Sequence, residues 1–123
     1  MNETELMRII QVKLSALGAR LFRNTTGSVV AQSGHYVQYG LANPGGSDLI
    51  GWTPVKITPD MVGRTLAIFT ALEVKSDHGR LTKHQKLFIE AVQRAGGIAA
   101  CARSVEDAEH VVGVVSATGR TTS

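Results

Sequence analysis

The spacing of apolar residues divides the first half of the chain into a helix and several short extended segments. Residues 2 to 17 carry apolar side chains at close to helical spacing, and Gly18 follows as a stop, so we expect an amphipathic helix. The segment ARLFRNTTG is typical of a short strand that enters a turn, and SVVAQSGHYVQYG fits either a hairpin or an irregular loop. ANPGGSDLIGW indicates a glycine-rich loop that runs into a short apolar strand.

The second half of the chain follows a different pattern. From Leu66 through Val74 it is almost continuously apolar, which predicts a strand covered on both faces at the middle of a sheet. Thr82 is placed to cap a helix that ends at Gly96-Gly97. Residues 98 to 103 then read as a second apolar strand, and Ser104 is placed to cap a last helix.

The order of these segments indicates the fold class. A strand, a helix and another strand follow one another between residues 66 and 103, which is long enough for a crossover between parallel strands. We therefore expect an α/β fold in which a small mixed sheet is flanked by helices, in the rough order α-β-β-β-α-β-α. The length of 123 residues suits one domain over residues 1–116, with a flexible tail at 117–123.

Composition and charge indicate which kinds of partner and which cellular compartment suit the chain. With 43% hydrophobic and 19% charged residues the chain is ordinary for a globular protein, and a net charge of +3 favours an anionic partner without requiring one. Nothing near Met1 resembles a secretory signal, and no apolar run is long enough to cross a membrane. The single cysteine, Cys101, cannot form an internal disulfide, so we expect a small buried thiol and a cytoplasmic location.

An acid and a base stand two positions apart near the end of the predicted central strand. Side chains two apart in a strand share a face, so Glu73 and Lys75 should lie side by side while Val74 turns into the core on the opposite face. An exposed ion pair, worth about 0 to 1 kcal/mol, is one explanation. Asp48, which follows two glycines in a loop, suggests a second explanation, in which its carboxylate and that of Glu73 reach one functional site. A turn aspartate bonded to nearby backbone fits this position too.

Two carboxylates that reach one site would supply the hard oxygen ligands that Mg²⁺ prefers. This ion keeps several waters and commonly takes one or two carboxylates plus a phosphate, so a phosphodiester would complete its shell. Lys75 would then stabilise charge in the transition state or orient the attacking water. The pattern favours metal-dependent hydrolysis of phosphodiester bonds.

Several segments together resemble the VRR-NUC branch of the PD-(D/E)xK nuclease superfamily. They are GGSDLIG, LEVKSDHGRLTKHQKLFIEAVQRAGGIAACARS, and an amino-terminal helix beginning ETEL that leads to RLFRNTTG. The resemblance covers nearly the whole chain and implies a restriction-endonuclease-like core. One departure is Ser47, where the family often has proline before the aspartate; that proline shapes the loop and is no metal ligand, so the implied catalytic set stays intact.

By this resemblance Asp48 and Glu73 bind the metal, the carbonyl of Val74 completes the protein ligands, and Lys75 is the catalytic lysine. The implied cofactor is Mg²⁺, with Mn²⁺ as a substitute. Gln85 matches a glutamine on the helix that packs across the family's site.

Two of the matching residues also have simpler explanations. The spacing of Thr82 and Gln85 is that of a helix capping box, so a role in the cap and a role in the site both stay open for Gln85. Glu5 matches an acidic residue of the family's first helix, which lies near the metal site. The spacing of Asn2 and Glu5 fits a capping box as well, and a carboxylate is favourable at any helix start.

Candidate DNA contacts occur in two places. Arg23 and Asn24 resemble a segment near the family's substrate path, where a guanidinium can fork onto a phosphate, although an arginine at a strand end is usually just solvated. Arg80, Lys83 and Lys86 cluster at the start of the helix that Thr82 caps. A helix amino terminus attracts phosphate, but a solvated basic face is the more common meaning of such a cluster.

These observations lead to the hypothesis of a metal-dependent DNA endonuclease. Compact domains of this family resemble those encoded by phages and mobile elements, and some are associated with branched or junction DNA. We expect selectivity for DNA shape, including four-way Holliday junctions, and a homodimer whose two-fold axis places two sites on two strands. Two alternatives stay open: a non-catalytic nucleic-acid binder that keeps the fold, and a partner-binding α/β domain in which Glu73 and Lys75 form only an ion pair.

Overall fold

The structure is a computed structural model that describes residues 1–116, and the predicted flexible tail at 117–123 lies outside the described residues. The described part is a mixed α/β fold with three helices and small sheets of two strands each, which confirms the predicted class. The helices are α1 (Glu3–Ala16), α2 (Lys83–Arg94) and α3 (Val105–Ser116). The strands are β1 (Arg20–Arg23), β2 (Gly27–Val30), β3 (Tyr36–Tyr39), β4 (Leu49–Trp52), β5 (Thr70–Val74) and β6 (Ile98–Ala102), and a 3₁₀ turn spans Pro59–Met61.

The chain contains two compact units, Met1–Lys56 and the segment from Ile57 onward. The first unit holds α1 and β1 to β4, and the second holds β5, α2, β6 and α3. The assignment of residues 1–116 to a single domain stays a prediction.

In the first unit, α1 begins and ends at local capping contacts. The Asn2 side chain accepts a hydrogen bond from the Glu5 N–H over 2.8 Å, which satisfies one of the free donors at the helix start. At the other end Gly18 has a φ of 94°, and the Ala19 N–H donates to the Leu14 carbonyl over 3.1 Å, closing a Schellman motif. The helix predicted over residues 2–17 is therefore confirmed.

The strands of the first unit form two antiparallel pairs. β1 pairs with β4, so that Arg23 lies opposite Leu49. The Gln11 side chain donates from Nε2 to the Leu21 carbonyl over 3.1 Å and ties α1 to β1. The segment that fitted either a hairpin or a loop is a hairpin formed by β2 and β3.

In the second unit, β5 and β6 are parallel and joined by α2, so the predicted crossover is confirmed. Thr70 lies opposite Ile98, and the pairing continues to Val74 opposite Ala102. β5 is shorter than the predicted strand over residues 66–74, because it begins where its partner begins. Residues 66 to 68 precede the start of the ladder, and a strand is defined by the backbone bonds that it makes to a neighbour.

The prediction that this strand lies at the middle of a sheet is wrong for the described part of the chain, in which β5 pairs with β6 alone. Leu72 and Val74 are 36% and 74% exposed, although Val74 was expected to face the core. β6 is the covered strand, because α2 and α3 both pack against it and Ala99 and Ala102 are buried. An apolar run indicates that a strand suits burial, but it does not identify the element that covers it.

The end of α2 confirms the stop predicted at Gly96-Gly97. Gly96 has a φ of 95°, and the Gly97 N–H donates to the Val92 carbonyl over 2.9 Å, which closes a second Schellman motif. A Cβ added at Gly97 would lie 2.7 Å from Val92 Cγ1 and 2.9 Å from the Phe69 carbonyl oxygen. Because Val92 is fully buried, the absence of a side chain at Gly97 is what lets the end of α2 approach the start of β5.

Candidate active site

Glu73 and Lys75 lie together on one side of β5, as the strand period predicts. Lys75 Nζ is 3.6 Å from Glu73 Oε1, and the side chains of Lys75 and Glu73 are 21% and 34% exposed respectively. Such a partly covered pair differs from a fully solvated surface contact, because both charges have lost part of their water. A carboxylate and an ammonium therefore share one half-buried site at the end of β5.

The side chain of Gln85 belongs to the capping box of α2 and also contacts Glu73. Its Oε1 accepts from the Thr82 N–H over 2.9 Å, and its own N–H donates to Thr82 Oγ1 over 3.1 Å, which completes a capping box at the start of α2. Its Nε2 donates to Glu73 Oε1 over 2.9 Å. One amide group thus caps the helix with its oxygen and holds the site carboxylate with its nitrogen.

The turn after Lys75 packs back against the lysine. The Gly79 N–H donates to the Ser76 carbonyl over 3.2 Å, and a Cβ added at Gly79 would lie 3.3 Å from Lys75 Cδ. A side chain at Gly79 would therefore crowd the stem of Lys75. The glycine that follows the Glu-Val-Lys sequence keeps room for the ammonium group to reach Glu73.

Arg103 is a neighbour of this site that the sequence analysis did not select. Its Nη1 donates to the Ser76 carbonyl over 2.6 Å, so a guanidinium from the end of β6 fixes the turn that follows Lys75. Its N–H donates to Asp107 in the first turn of α3 over 2.9 Å. The carboxyl ends of parallel strands meet at one edge of a sheet, and this rule would have placed Arg103 beside Lys75.

The oxygen atoms around Glu73 suit a divalent ion such as Mg²⁺. Glu73 Oε1 accepts a hydrogen bond from Gln85 Nε2 and forms the ion pair with Lys75 Nζ. Glu73 Oε2 has no hydrogen-bond partner among residues 1–116. The Phe69 carbonyl accepts from the Ile98 N–H, and the Lys75 N–H donates to the Ala102 carbonyl, so the backbones of residues 69 and 75 both face β6. Along a parallel strand every second residue bonds to a given neighbour, and Val74 lies between two residues that bond to β6. The Val74 carbonyl accordingly points away from β6.

A free carboxylate oxygen and a free carbonyl oxygen are hard ligands of the kind that Mg²⁺ takes, together with water and phosphate. The described residues contain no cluster of three or more histidine, cysteine, aspartate or glutamate side chains that could hold a metal. A magnesium site does not need such a cluster, because one or two carboxylates are its usual protein contribution. The donor set of the second unit therefore fits a divalent ion.

Asp48 lies in the first unit, immediately before β4, and its carboxylate is exposed. Its carbonyl accepts from the Asn24 N–H over 2.8 Å. Within the described residues its carboxylate makes no ion pair and no hydrogen bond, so the expected alternative of a turn aspartate bonded to nearby backbone is not observed there. The Asn24 side chain bonds to both ends of the preceding loop, at Leu41 and at Ser47.

The remaining candidate residues are exposed in both units. Glu5 lies in the first turn of α1, and Arg23 ends β1 directly before Asn24. In the second unit, exposed basic residues surround the start of α2: Arg80, Lys83 and Lys86. The structure thus brings Glu73, Lys75 and Gln85 together in the second unit, whereas the other candidate ligand and its neighbours belong to the first.

Two further expectations concern Cys101 and the membrane. Cys101 is a free thiol in β6, and it is half-buried where full burial was expected; in that strand only Ala99 and Ala102 are buried. Among the described helices there is none with the length and apolar character needed to span a membrane.

Comparison with known proteins gives a match to a domain family. A sequence model of the VRR-NUC domain matches residues 6–106, a range that includes parts of both units. Every candidate site residue falls within this range except Glu5, which lies one position before it. Neither a curated protein nor a solved structure matches the chain.

Proposed function

Since the chain belongs to the VRR-NUC domain family of the PD-(D/E)xK nuclease superfamily, which makes it a nuclease domain acting on DNA, we propose that it is a metal-dependent DNA endonuclease. The observation that carries this proposal is the arrangement of Glu73, Lys75 and Gln85 in one half-buried site. Nucleases of this kind typically use divalent metal ions, and the oxygen donors beside Glu73 fit one.

We propose that Glu73, Asp48 and the Val74 carbonyl are the protein ligands of Mg²⁺, with Mn²⁺ as a substitute. Support for Glu73 and Val74 comes from their free oxygen atoms, and support for Asp48 comes from the family resemblance. When bound, the ion would polarise the scissile phosphodiester and activate water.

Lys75 is proposed as the catalytic lysine. Its ammonium group is held 3.6 Å from Glu73 Oε1 and its side chain is 21% exposed, so it presents a positive charge where little water competes for it. Charge that develops on the phosphate in the transition state is stabilised most by a group that is already in place and poorly solvated. Gln85 contributes by fixing one oxygen of Glu73, which leaves the other oxygen free for the metal.

The proposed contacts to the DNA backbone are Arg23 in the first unit and Arg80, Lys83 and Lys86 in the second. All four are exposed, and the last two lie in the first turn of α2, where the helix dipole also favours an anion. Glu5, exposed at the start of α1, is proposed as an accessory acidic residue of the site on family resemblance alone.

The same proposal includes selectivity for branched DNA and four-way Holliday junctions, and assembly as a homodimer. It also includes an origin in a phage and a cytoplasmic location. Junction selectivity and the homodimer are linked, because two copies related by a two-fold axis would present two sites to two strands. The alternative is a nucleic-acid-binding domain that keeps the fold without cleaving. The intact Glu73–Lys75 pair favours the enzyme.

A cleavage assay with Mg²⁺ or Mn²⁺ on duplex, flap, single-stranded and four-way junction DNA tests the proposal. The parent should cleave only with metal. Lys75→Ala should bind DNA within about threefold of the parent and cleave it about 100 to 1,000 times more slowly, because a lysine that acts on transition-state charge affects rate more than affinity. Lys75→Arg keeps the charge without the compact ammonium group, so it should recover binding and little of the rate.

Single-turnover conditions with saturating enzyme isolate the chemical step. Arg94→Gln, at the far end of α2, is the matched control for removal of a positive charge and should cleave like the parent. Cleavage by Lys75→Ala at the parental rate would show that the lysine has been given the wrong role. Binding without any metal-dependent cleavage by the parent would favour the non-catalytic alternative.

A further inference from the structure

A single side chain spans the loop that leads to Asp48. Asn24 Nδ2 donates to the Leu41 carbonyl over 2.9 Å and to the Ser47 carbonyl over 3.1 Å, and Asn24 Oδ1 accepts from the Leu41 N–H over 2.8 Å. The backbone N–H of Asn24 donates to the Asp48 carbonyl over 2.8 Å. Asn24 therefore joins the first and last residues of the loop 41–47 and also the aspartate that follows it.

The loop is closed tightly around this side chain. A Cβ added at Gly46 would clash with the Leu41 carbonyl oxygen and lie 3.0 Å from Asn24 Nδ2. Only a glycine at this position allows the two ends of the loop to approach each other and the Asn24 amide at once. Gly46 and Asn24 thus act on the same feature, the path of the backbone into Asp48.

The hydrogen-bonding capacity of Asn24 excludes a simple contact to phosphate. An amide side chain has two N–H donors, and both are occupied by the Leu41 and Ser47 carbonyls. Phosphate oxygens of the DNA backbone only accept, so a contact from this amide would need one of those bonds to break. The backbone N–H is occupied as well. The amide as placed can accept one more hydrogen bond but can donate none.

We infer that Asn24 is a positioning residue for Asp48, and that it acts on metal binding through that carboxylate rather than on DNA binding. This inference rests on the proposed role of Asp48 as a metal ligand. It replaces the DNA contact that the resemblance implied for Asn24. The adjacent Arg23, which is exposed, keeps the role of phosphate contact.

A double-mutant cycle with Asp48 tests the inference without relying on cleavage. Mn²⁺ affinity is measured by calorimetry on the full chain in the absence of DNA for the parent, Asn24→Ala, Asp48→Ala and the double variant. Asn24→Ala should weaken Mn²⁺ binding about 10- to 100-fold, the range for residues that orient a ligand. It should add almost nothing on the Asp48→Ala background, because its effect passes through Asp48.

DNA affinity measured in a metal chelator gives the second readout. Asn24→Ala should bind a labelled DNA duplex within about threefold of the parent, whereas loss of a side chain that donates a hydrogen bond to a phosphate should weaken binding about tenfold or more. Gln11→Ala, which removes one side-chain bond to backbone in the same unit, is the control for a general loss of stability and should keep parental Mn²⁺ affinity.

The possible outcomes separate the inference from the function on which it rests. Parental Mn²⁺ affinity in Asp48→Ala would overturn the role of Asp48 itself. Loss of Mn²⁺ binding in Asp48→Ala with parental affinity in Asn24→Ala would overturn the inference alone, and so would a loss of DNA affinity confined to Asn24→Ala. If Asn24→Ala does not fold, Asn24→Ser carries the same test, because its shorter side chain cannot bond to both Leu41 and Ser47 and adds no charge.

Discussion

Two substitutions at the start of α2 separate helix capping from the orientation of Glu73. Thr82→Ala removes the hydroxyl that accepts from the Gln85 N–H and leaves the hydrogen bond between Gln85 and Glu73 in place. Gln85→Ala removes the amide from the capping box and from the carboxylate. The two variants therefore share a damaged cap and differ at the site.

The hydrogen bonds set the expected magnitudes. Loss of a helix cap costs about 1 kcal/mol, which we expect for Thr82→Ala. A hydrogen bond to a charged group contributes about 1.5 to 3 kcal/mol when buried, and we reduce this to about 0.5 to 1.5 kcal/mol because Glu73 is 34% exposed. Gln85→Ala should then cost about 1.5 to 2.5 kcal/mol. At about 4 °C per kcal/mol for a chain of this size, the expected losses in Tm are about 4 °C and about 6 to 10 °C.

Activity gives the sharper distinction. Removal of a group that orients a metal ligand typically costs about 10- to 100-fold in activity, so kcat/KM should fall by this amount in Gln85→Ala and by less than about threefold in Thr82→Ala. On a Glu73→Ala background the two variants should be equally stable, because the hydrogen bond that distinguishes them is absent. Equal losses of activity in the two single variants would refute the reasoning, since Gln85 would then act only as a helix cap.

Two further predictions concern DNA binding and the packing of α2. Neutralising Lys83 and Lys86 to glutamine should flatten the salt dependence of DNA binding by about 0.9 in logarithmic slope for each phosphate that is no longer neutralised, as measured by anisotropy, and Arg94→Gln at the other end of the helix should leave the slope unchanged. In urea denaturation, Gly97→Ala should destabilise the protein by about 1 to 3 kcal/mol because its Cβ meets Val92 and backbone. Gly113→Ala, whose Cβ would meet no atom of residues 1–116 within 4 Å, should stabilise α3 by about 0.5 to 1 kcal/mol, and equal effects at the two glycines would contradict the close approach at Gly97.

The features that the sequence predicted correctly are those with short-range causes. The stops at Gly18 and Gly96 follow from a positive φ that glycine adopts readily, and the start of α2 follows from bonds between residues three apart. The pairing of Glu73 with Lys75 follows from the two-residue period of a strand. Each of these signals is contained in a few consecutive residues.

The features that it missed depend on partners far away in the chain. The burial of β5 depends on which helices and strands pack against it, and an apolar run does not indicate which elements these are. The partners of the Asn24 side chain, Leu41 and Ser47, are 17 and 23 residues away, so spacing gives no indication that its donors are occupied. Arg103 is the exception. The predicted crossover places it at the end of the second parallel strand, so its position beside Lys75 could have been predicted from the sequence.

The shared amide of Gln85 restricts which residues evolution can accept at this position. Glutamate would preserve the acceptor that caps α2, as it does in ordinary capping boxes, but it would offer no donor to Glu73 and would place two carboxylates together. Lysine would offer a donor without the acceptor, and asparagine is one carbon shorter. A natural variant that keeps Thr82 but carries glutamate at position 85 would therefore retain its helix and lose the support of its carboxylate. Such a replacement would mark a domain that still folds after selection for cleavage has ended.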